Sequence, residues 1–246
     1  MNRRYTYFRG GKDRELNVKK MKKYVEQKHE LDKFFEKLIV SYIQNKKLKI
    51  LDACCGIGYV SNFLSQISPA SKFLGIDQTD YIINEAKKLY QDKKNISFKT
   101  IDIYDMPALY PKYFDITINW KTISWLPYYD QILKALFAIT KKHIFISSLF
   151  YDGDIDFEIK VREFKKEMAK DGFNAYYNVY SFPRFKKFVC DLGAKKVESF
   201  DFKIDKDLPR SNIDFMGTYT EKLKNGKRLQ ISGILLMNWK VIRIDL

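Results

Sequence analysis

Cysteine is scarce in this chain of 246 residues: there are three, and Cys54 and Cys55 are adjacent. An odd number with no C-x-x-C spacing excludes a disulfide framework and a thiolate zinc site. No stretch approaches the ~18 consecutive apolar residues of a membrane span. The N-terminus, Met1-Asn2-Arg3-Arg4-Tyr5, leads into polar sequence and lacks the apolar core of a secretory signal, so the expected location is the cytoplasm. Arginine is also under-used, at nine against 36 lysines. Arg is the side chain suited to bidentate phosphate and base contacts. The net charge of +15 therefore argues less for a nucleic-acid binder than its size suggests, and more for a solvated lysine surface. Low-complexity linkers and internal repeats are absent.

What is present can build a sizeable core: 46% of residues are hydrophobic and 16% aromatic. The basic excess is uneven. Residues 1–49 hold 15 basic and 6 acidic side chains, which offers that end to an anionic substrate, a membrane surface or RNA. The same segment reads as helical, because Leu31, Phe34, Phe35, Leu38, Ile39 and Tyr42 recur at 3.6-residue spacing.

Strand and helix signals then alternate. Strands are expected at Lys49–Ala53, Lys72–Asp77, Ile96–Ile101, Phe114–Asn119 and His143–Leu149. Helices are expected at Tyr59–Gln66, Asp80–Tyr90 (with Thr79 as N-cap) and Tyr128–Thr140. Such alternation means βαβ units and a doubly wound, mostly parallel α/β sheet. Residues 151–180 read as a helix-bearing insertion. Ser181–Leu192 reads as a helix ended by Gly193, and Val197–Ile204 as a strand. Met216–Tyr219 and Arg228–Trp239 flank the hairpin signal Asn225-Gly226. A single domain is expected, with a basic helical cap over 1–48, a ligand-binding core over 49–150, and an insertion with antiparallel C-terminal strands over 151–246.

The segment Leu51-Asp52-Ala53-Cys54-Cys55-Gly56-Ile57-Gly58 carries the most chemical information. A strand ends in a carboxylate, and a loop of small residues opens a helix whose free N–H groups attract negative charge. Asp77 ends the second strand and Asp102 follows the third, at equal intervals of 25 residues. Acids at three successive strand ends fall on the rim where such sheets bind ligands, and an acid at the second suits ribose hydroxyls. Gly56-x-Gly58-x-x-Ser61 also comes near a dinucleotide fingerprint. A carboxylate just before the loop would repel pyrophosphate, however, and suits a ligand with an ammonium group.

These residues resemble the first motif of class I S-adenosylmethionine-dependent methyltransferases, an acid followed by Gly-x-Gly-x-Gly, with Cys54 in place of the first glycine. The resemblance covers roughly residues 48–150 and returns over 181–204. It implies a Rossmann-like methyltransferase fold that binds S-adenosyl-L-methionine and releases S-adenosyl-L-homocysteine. It places Asp52, Cys54, Gly56 and Gly58 in the cofactor loop, and Asp77 and Gln78 at the ribose. Asp102 and Ile103 fall at the adenine, and Asn119 and Trp120 at the methionyl part. Asn178–Phe185, with Gly217–Thr220 and Leu229–Gly233, resembles bacterial methyltransferases associated with capsular polysaccharide. That implies transfer to an oxygen of a sugar or of a capsular phosphoramidate precursor.

An alcohol acceptor needs a general base. His29 on the basic N-terminal segment and Asp152 after the fifth strand are the candidates, while His143 reads as structural. Tyr151, Tyr177, Tyr180 and Asp154 are expected to line the acceptor. The scarce Arg9, Arg184 and Arg210 are expected to bind an anionic group on it. Two alternatives stand beside this reading: an RNA methyltransferase using the basic N-terminal segment, and a non-catalytic protein of the same fold.

Overall fold

The computed structural model describes residues 18–19, 21–22, 25, 28–162, 175–210 and 217–246. Its frame is one large sheet in the order β3-β2-β1-β4-β5-β13-β9. The strands are β1 (Lys49–Ala53), β2 (Lys72–Asp77), β3 (Ile96–Thr100), β4 (Phe114–Trp120), β5 (Thr140–Tyr151), β9 (Lys196–Phe202) and β13 (Trp239–Asp245). β1 to β5 are parallel, and β13 runs antiparallel between β5 and β9. This is the doubly wound α/β arrangement expected. The order reverses between β1 and β4, which opens a crevice at their carboxyl ends.

The central strands β1, β4 and β5 form because they are largely apolar and buried on both faces, as central parallel strands must be. One face is covered by α4 (Met106–Leu109), α5 (Asp130–Ile139) and α6 (Phe182–Asp191), which bring Met106, Leu133, Leu136 and Phe185 onto Ile144, Ile146 and Ile242. On the other, α1 (Glu30–Ile43) and α2 (Tyr59–Ile67) pack Phe35, Ile39, Phe63 and Leu64 against Ile50, Ile118 and Phe145. Leu31, Phe35, Ile39 and Ile43 lie on one stripe of α1, so burying that face fixes the helix across the sheet. α3 (Asp80–Leu89) sets Ile83 and Ala86 on Phe98 and Tyr90.

Three readings of the sequence need correction. The strand expected over Arg228–Trp239 is broken: β10 (Thr218–Lys222), β11 (Arg228–Ser232) and β12 (Leu235–Leu236) form a separate three-stranded sheet through the Asn225-Gly226 turn. The antiparallel strand of the main sheet is β13, seven residues of which only Lys240, Arg243 and Asp245 are charged, and it was not foreseen. β5 is longer than expected and runs on to Tyr151, where it pairs with β8 (Tyr180–Ser181). In the 151–180 insertion β6 (Lys160–Val161) pairs with β7 (Ala175–Tyr176), and Phe157 bridges Val179; the helix expected within the insertion falls on 163–174, outside the described residues. The helix after it is well specified. Ser181 caps α6 by accepting the Arg184 N–H, Pro183 sits in its first turn, and Gly193 follows its end with φ 103°.

Candidate cofactor and acceptor site

The loop between β1 and α2 turns through left-handed conformations at Cys54 (φ 60°), Gly56 (φ 54°) and Gly58 (φ 77°). An L-residue there costs about 1–2 kcal/mol, so Cys54 occupies a position that favours glycine. Gly58 is constrained twice, since a Cβ on it would lie 2.3 Å from the Phe98 ring. The loop is thus pressed down on β3, and α2 starts directly after it with its N-terminus toward the crevice. From the N-terminal side, the methyl carbon of Met21 comes 3.7 Å from where a Gly56 Cβ would stand, and Lys22 pairs with Glu85 at 2.9 Å.

The three rim acids have different duties. Asp52 is buried, and its Oδ2 accepts the Ser61 N–H at 3.1 Å and the Ser61 hydroxyl at 2.8 Å. Burial pushes its pKa up to about 6, against the Ser61 bonds and with help from the Asp77 charge. The Ser61 bonds also make Asp52 an anchor for the start of α2. Asp77 ties β2 to the loop. Its Oδ2 accepts the Gly56 N–H at 3.2 Å and its Oδ1 the Thr79 N–H at 2.9 Å. Burial raises its pKa, opposed by the N–H groups of Thr79, Gly56 and Gln78. Thr79 is held to Asp77 by its backbone N–H and its hydroxyl, and the hydroxyl makes no helix cap. Asp102 accepts the Tyr104 N–H at 3.1 Å.

All three converge on one spot. Burial, and then the charges of Asp77, Asp52 and Asp102, hold the Cys54 thiol well above its ordinary pKa, which makes it inert. Beside it Asn119, fully buried at the end of β4, donates from Nδ2 to the Ala53 carbonyl at 3.0 Å. Its Oδ1 is buried without a hydrogen bond, while the Asn119 side chain also acts as a donor toward the Cys54 sulfur. At the β2–β3 end of the rim a cleft of about 400 Å³ is lined by Gln78, Thr100, Ile101, Asp102, Asp105 and Leu109. Ile103 is buried beneath it.

The family model for a methyltransferase domain matches residues 44–196. The chain belongs to the methyltransferase domain family. Among its relatives is the malonyl-[acyl-carrier protein] O-methyltransferase of Bacillus cereus, 31% identical over 96 residues. That match covers 39% of this methyltransferase-family chain and 35% of the relative, so the chain spans about a third of the length of the curated protein it matches. Among solved structures, the YcgJ protein from Bacillus subtilis superposes with a TM-score of 0.54 at 12% identity, covering 85% of this chain and 96% of that one. The CurJ carbon methyltransferase superposes at 0.55 with 11% identity, covering 90% of this chain and 56% of that one. At such identities these two likenesses show the shared fold.

The residues present fit the family's cofactor, S-adenosylmethionine. Asp77 stands at the end of β2, where a ribose diol needs an acceptor, and the Gly56 and Thr79 N–H groups fix its carboxylate at the loop. The orphaned Asn119 Oδ1 is a buried acceptor facing a loop where an ammonium donor is expected.

Several expected site residues lie elsewhere in this methyltransferase domain. Trp120 is buried on the α1 side, stacked on Phe35 at 4.2 Å with its indole N–H donated to Asp32 at 2.8 Å, so it does not reach a methionyl group. Strand alternation explains this, because Asn119 and Trp120 must point to opposite faces. Tyr177 and Tyr180 are core residues, not an acceptor wall. Tyr177 packs on Trp125 at 4.9 Å, and the Tyr180 hydroxyl donates to the Leu126 carbonyl at 2.8 Å. The Asn178–Phe185 segment is thereby accounted for as a buried joint and a capped helix.

Asp152 is largely exposed and pairs with Lys240 at 3.1 Å, while Lys240 is also held by Asp201 at 2.5 Å. Asp154 lies 3.6 Å from Arg184, so two groups expected to meet the acceptor face each other. Arg210 lies over the Tyr219 ring at 5.7 Å. Tyr151 is exposed and meets Phe157 edge-on. Arg9 lies outside the described residues. His143 sits at the start of β5, on the opposite rim, with Nδ1 2.8 Å from Asp245.

His29 is placed at the rim. It is the N-cap of α1, and its backbone N–H donates to Asp32 Oδ2 at 3.2 Å. Its imidazole is exposed at the surface, and partial desolvation with the nearby Lys121 ammonium holds its pKa below the ordinary value, against the pull of Asp32 and Glu30. Asp32 itself was missed. It is fully buried and also accepts the Tyr59 hydroxyl at 3.1 Å, joining α1, the start of α2 and the end of β4. Its only signal in the sequence was an acid on the apolar side of a helix.

Proposed function

We propose that this chain transfers the methyl group of S-adenosylmethionine to an oxygen of a small acceptor. The observation that carries this reading is the convergence of Asp52, Asp77 and Asp102 on the Cys54 loop, beside the buried acceptor Asn119 Oδ1. Such a crevice repels pyrophosphate and suits a nucleoside with a cationic amino-acid tail. Asp77 binds the ribose diol, while Gln78 and Asp102 border the adenine in the 400 Å³ cleft. Asn119 receives the ammonium. The sulfonium, when bound, supplies an already activated methyl group.

The chain's remaining task is alignment and proton handling, and alignment alone is worth several kcal/mol, up to ~7–11 in ideal cases. His29 holds a neutral imidazole near neutral pH, as an acceptor of a hydroxyl proton requires. The Bacillus cereus relative is named for O-methylation of a malonyl group, which supports oxygen as the receiving atom. A capsular sugar or phosphoramidate acceptor draws no support from the family match or from the buried 178–185 segment.

The test is incubation with methyl-labelled S-adenosylmethionine and a panel of carboxylic, phosphate and sugar acceptors. Label in an acceptor together with S-adenosylhomocysteine supports the reading. Failure to bind S-adenosylmethionine at all contradicts it.

A further inference from the structure

Two lysines on the carboxyl rim are partly buried, and their surroundings differ. Lys240 is saturated, with Asp201 at 2.5 Å and Asp152 at 3.1 Å. Lys121 is not. Among the described residues its ammonium has one acceptor, Asp32 Oδ1 at 3.5 Å, beyond the 2.7–2.9 Å of a charge-assisted bond. Asp32 is already served by Trp120, Tyr59 and the His29 N–H. The ammonium is thus steered by a buried carboxylate without being consumed by it.

The backbone at Lys121 points the same way. It adopts φ 56°, a conformation that costs an L-residue about 1–2 kcal/mol. The turn is fixed by the Lys121 N–H donating to the Ser147 hydroxyl of β5 at 2.9 Å. Lys112, another lysine with positive φ, spends its ammonium on the Phe137 and Thr140 carbonyls, so its strain has a structural use. Lys121 follows Asn119 by two residues, where β4 abuts the cofactor loop, and it lies near His29.

We propose that Lys121 binds an oxyanion on the acceptor, a carboxylate or phosphate, and that Asp32 is the positioning residue that aims it. This rests on the methyltransferase reading above and narrows its acceptor. A cationic donor and an ammonium on one rim repel each other, and an anion seated between them turns that repulsion into attraction for both. Lys121 keeps its protons and transfers none in this role. It draws the anion to the rim and lowers the charge barrier to its approach.

The test uses the full chain loaded with S-adenosylhomocysteine, titrated by calorimetry with malonate and, separately, with inorganic phosphate. Lys121→Met is expected to weaken binding of the preferred anion about tenfold, the worth of one partly desolvated charge pair, and Lys121→Arg to restore most of it. Preference for malonate assigns a carboxylate acceptor, and preference for phosphate a phosphate one. Asp32→Asn is expected to weaken the anion without changing affinity for S-adenosylhomocysteine, and to add nothing once Lys121 is Met. Lys121→Met leaves the Asp32 bonds to Trp120 and Tyr59 intact, so it serves should Asp32→Asn misfold. Equal anion affinity in Lys121→Met and the unaltered protein, or no anion binding to the loaded protein, overturns the proposal. Failure of S-adenosylhomocysteine itself to bind overturns the methyltransferase reading instead.

Discussion

The two halves of the carboxyl rim are built in different ways. Above β1 to β3, each functional carboxylate is delivered by the strand it ends, so Asp52, Asp77 and Asp102 appear at regular intervals and their duty is local. Above β4 and β5, the polar groups are brought together from afar. Asp32 meets Trp120 across 88 positions, and Lys240 meets Asp152 across another 88. The cofactor half is a property of the βαβ repeat, whereas the acceptor half is a property of how the ends of the chain close over it. One half can serve many acceptors while the other is altered piecemeal.

The sharpest break of that contrast is Gly58→Ala. Positive φ and the Phe98 contact together predict a loss of about 3 kcal/mol in urea unfolding, and loss of cofactor binding with it. Asp77→Ala is next. It removes the tie to Gly56 and Thr79 and the ribose acceptor, so calorimetry should show S-adenosylmethionine affinity falling by more than about tenfold. An unchanged affinity would break the ribose assignment.

Asp52→Asn moves stability in the opposite direction. With its pKa raised to about 6, folded Asp52 holds a proton that the unfolded chain has released, so its contribution weakens as pH rises from the ordinary carboxylate range through that value. The amide lacks this penalty. The melting temperature of the variant should exceed that of the unaltered chain by about 3 °C near pH 8, and the gain should vanish as pH falls toward about 4.

A smaller effect sharpens the acceptor half. Folded His29, with its lowered pKa, binds fewer protons than the unfolded chain, so its contribution to stability is present above the ordinary histidine range and is lost as pH falls through it. Lys121→Met removes a like charge, and NMR titration should show the His29 pKa rising, with His143 on the far rim as the reference resonance. Cys54→Gly is the smallest change. It relieves a strained φ while adding backbone freedom, so stability should move by no more than about 1 kcal/mol.

The sequence displayed the cofactor half because its signals are local: strand periodicity, small residues at a turn, and acids at strand ends. β1 to β4, with α2 and α3, follow the expected ranges to within a residue or two, while α4 before β4 was not expected. The acceptor half was obscured for physical reasons. Tyr177 and Tyr180 look amphipathic, but their hydroxyl ends find partners or packing inside, so their type does not reveal their burial. Asp152, Asp154 and Arg184 satisfy each other or Lys240, which no spacing rule predicts. Asp32 and Lys121 are ordinary charges until α1 folds across β4. β13 was hidden behind a hairpin signal that proved correct for a different sheet.

The most direct measurement is calorimetry of the full chain with S-adenosylmethionine and, in parallel, with NAD. The account predicts one site for S-adenosylmethionine, weakened by more than about tenfold in Asp77→Ala, and no heat from NAD. Saturable NAD binding, with none for S-adenosylmethionine, would contradict it.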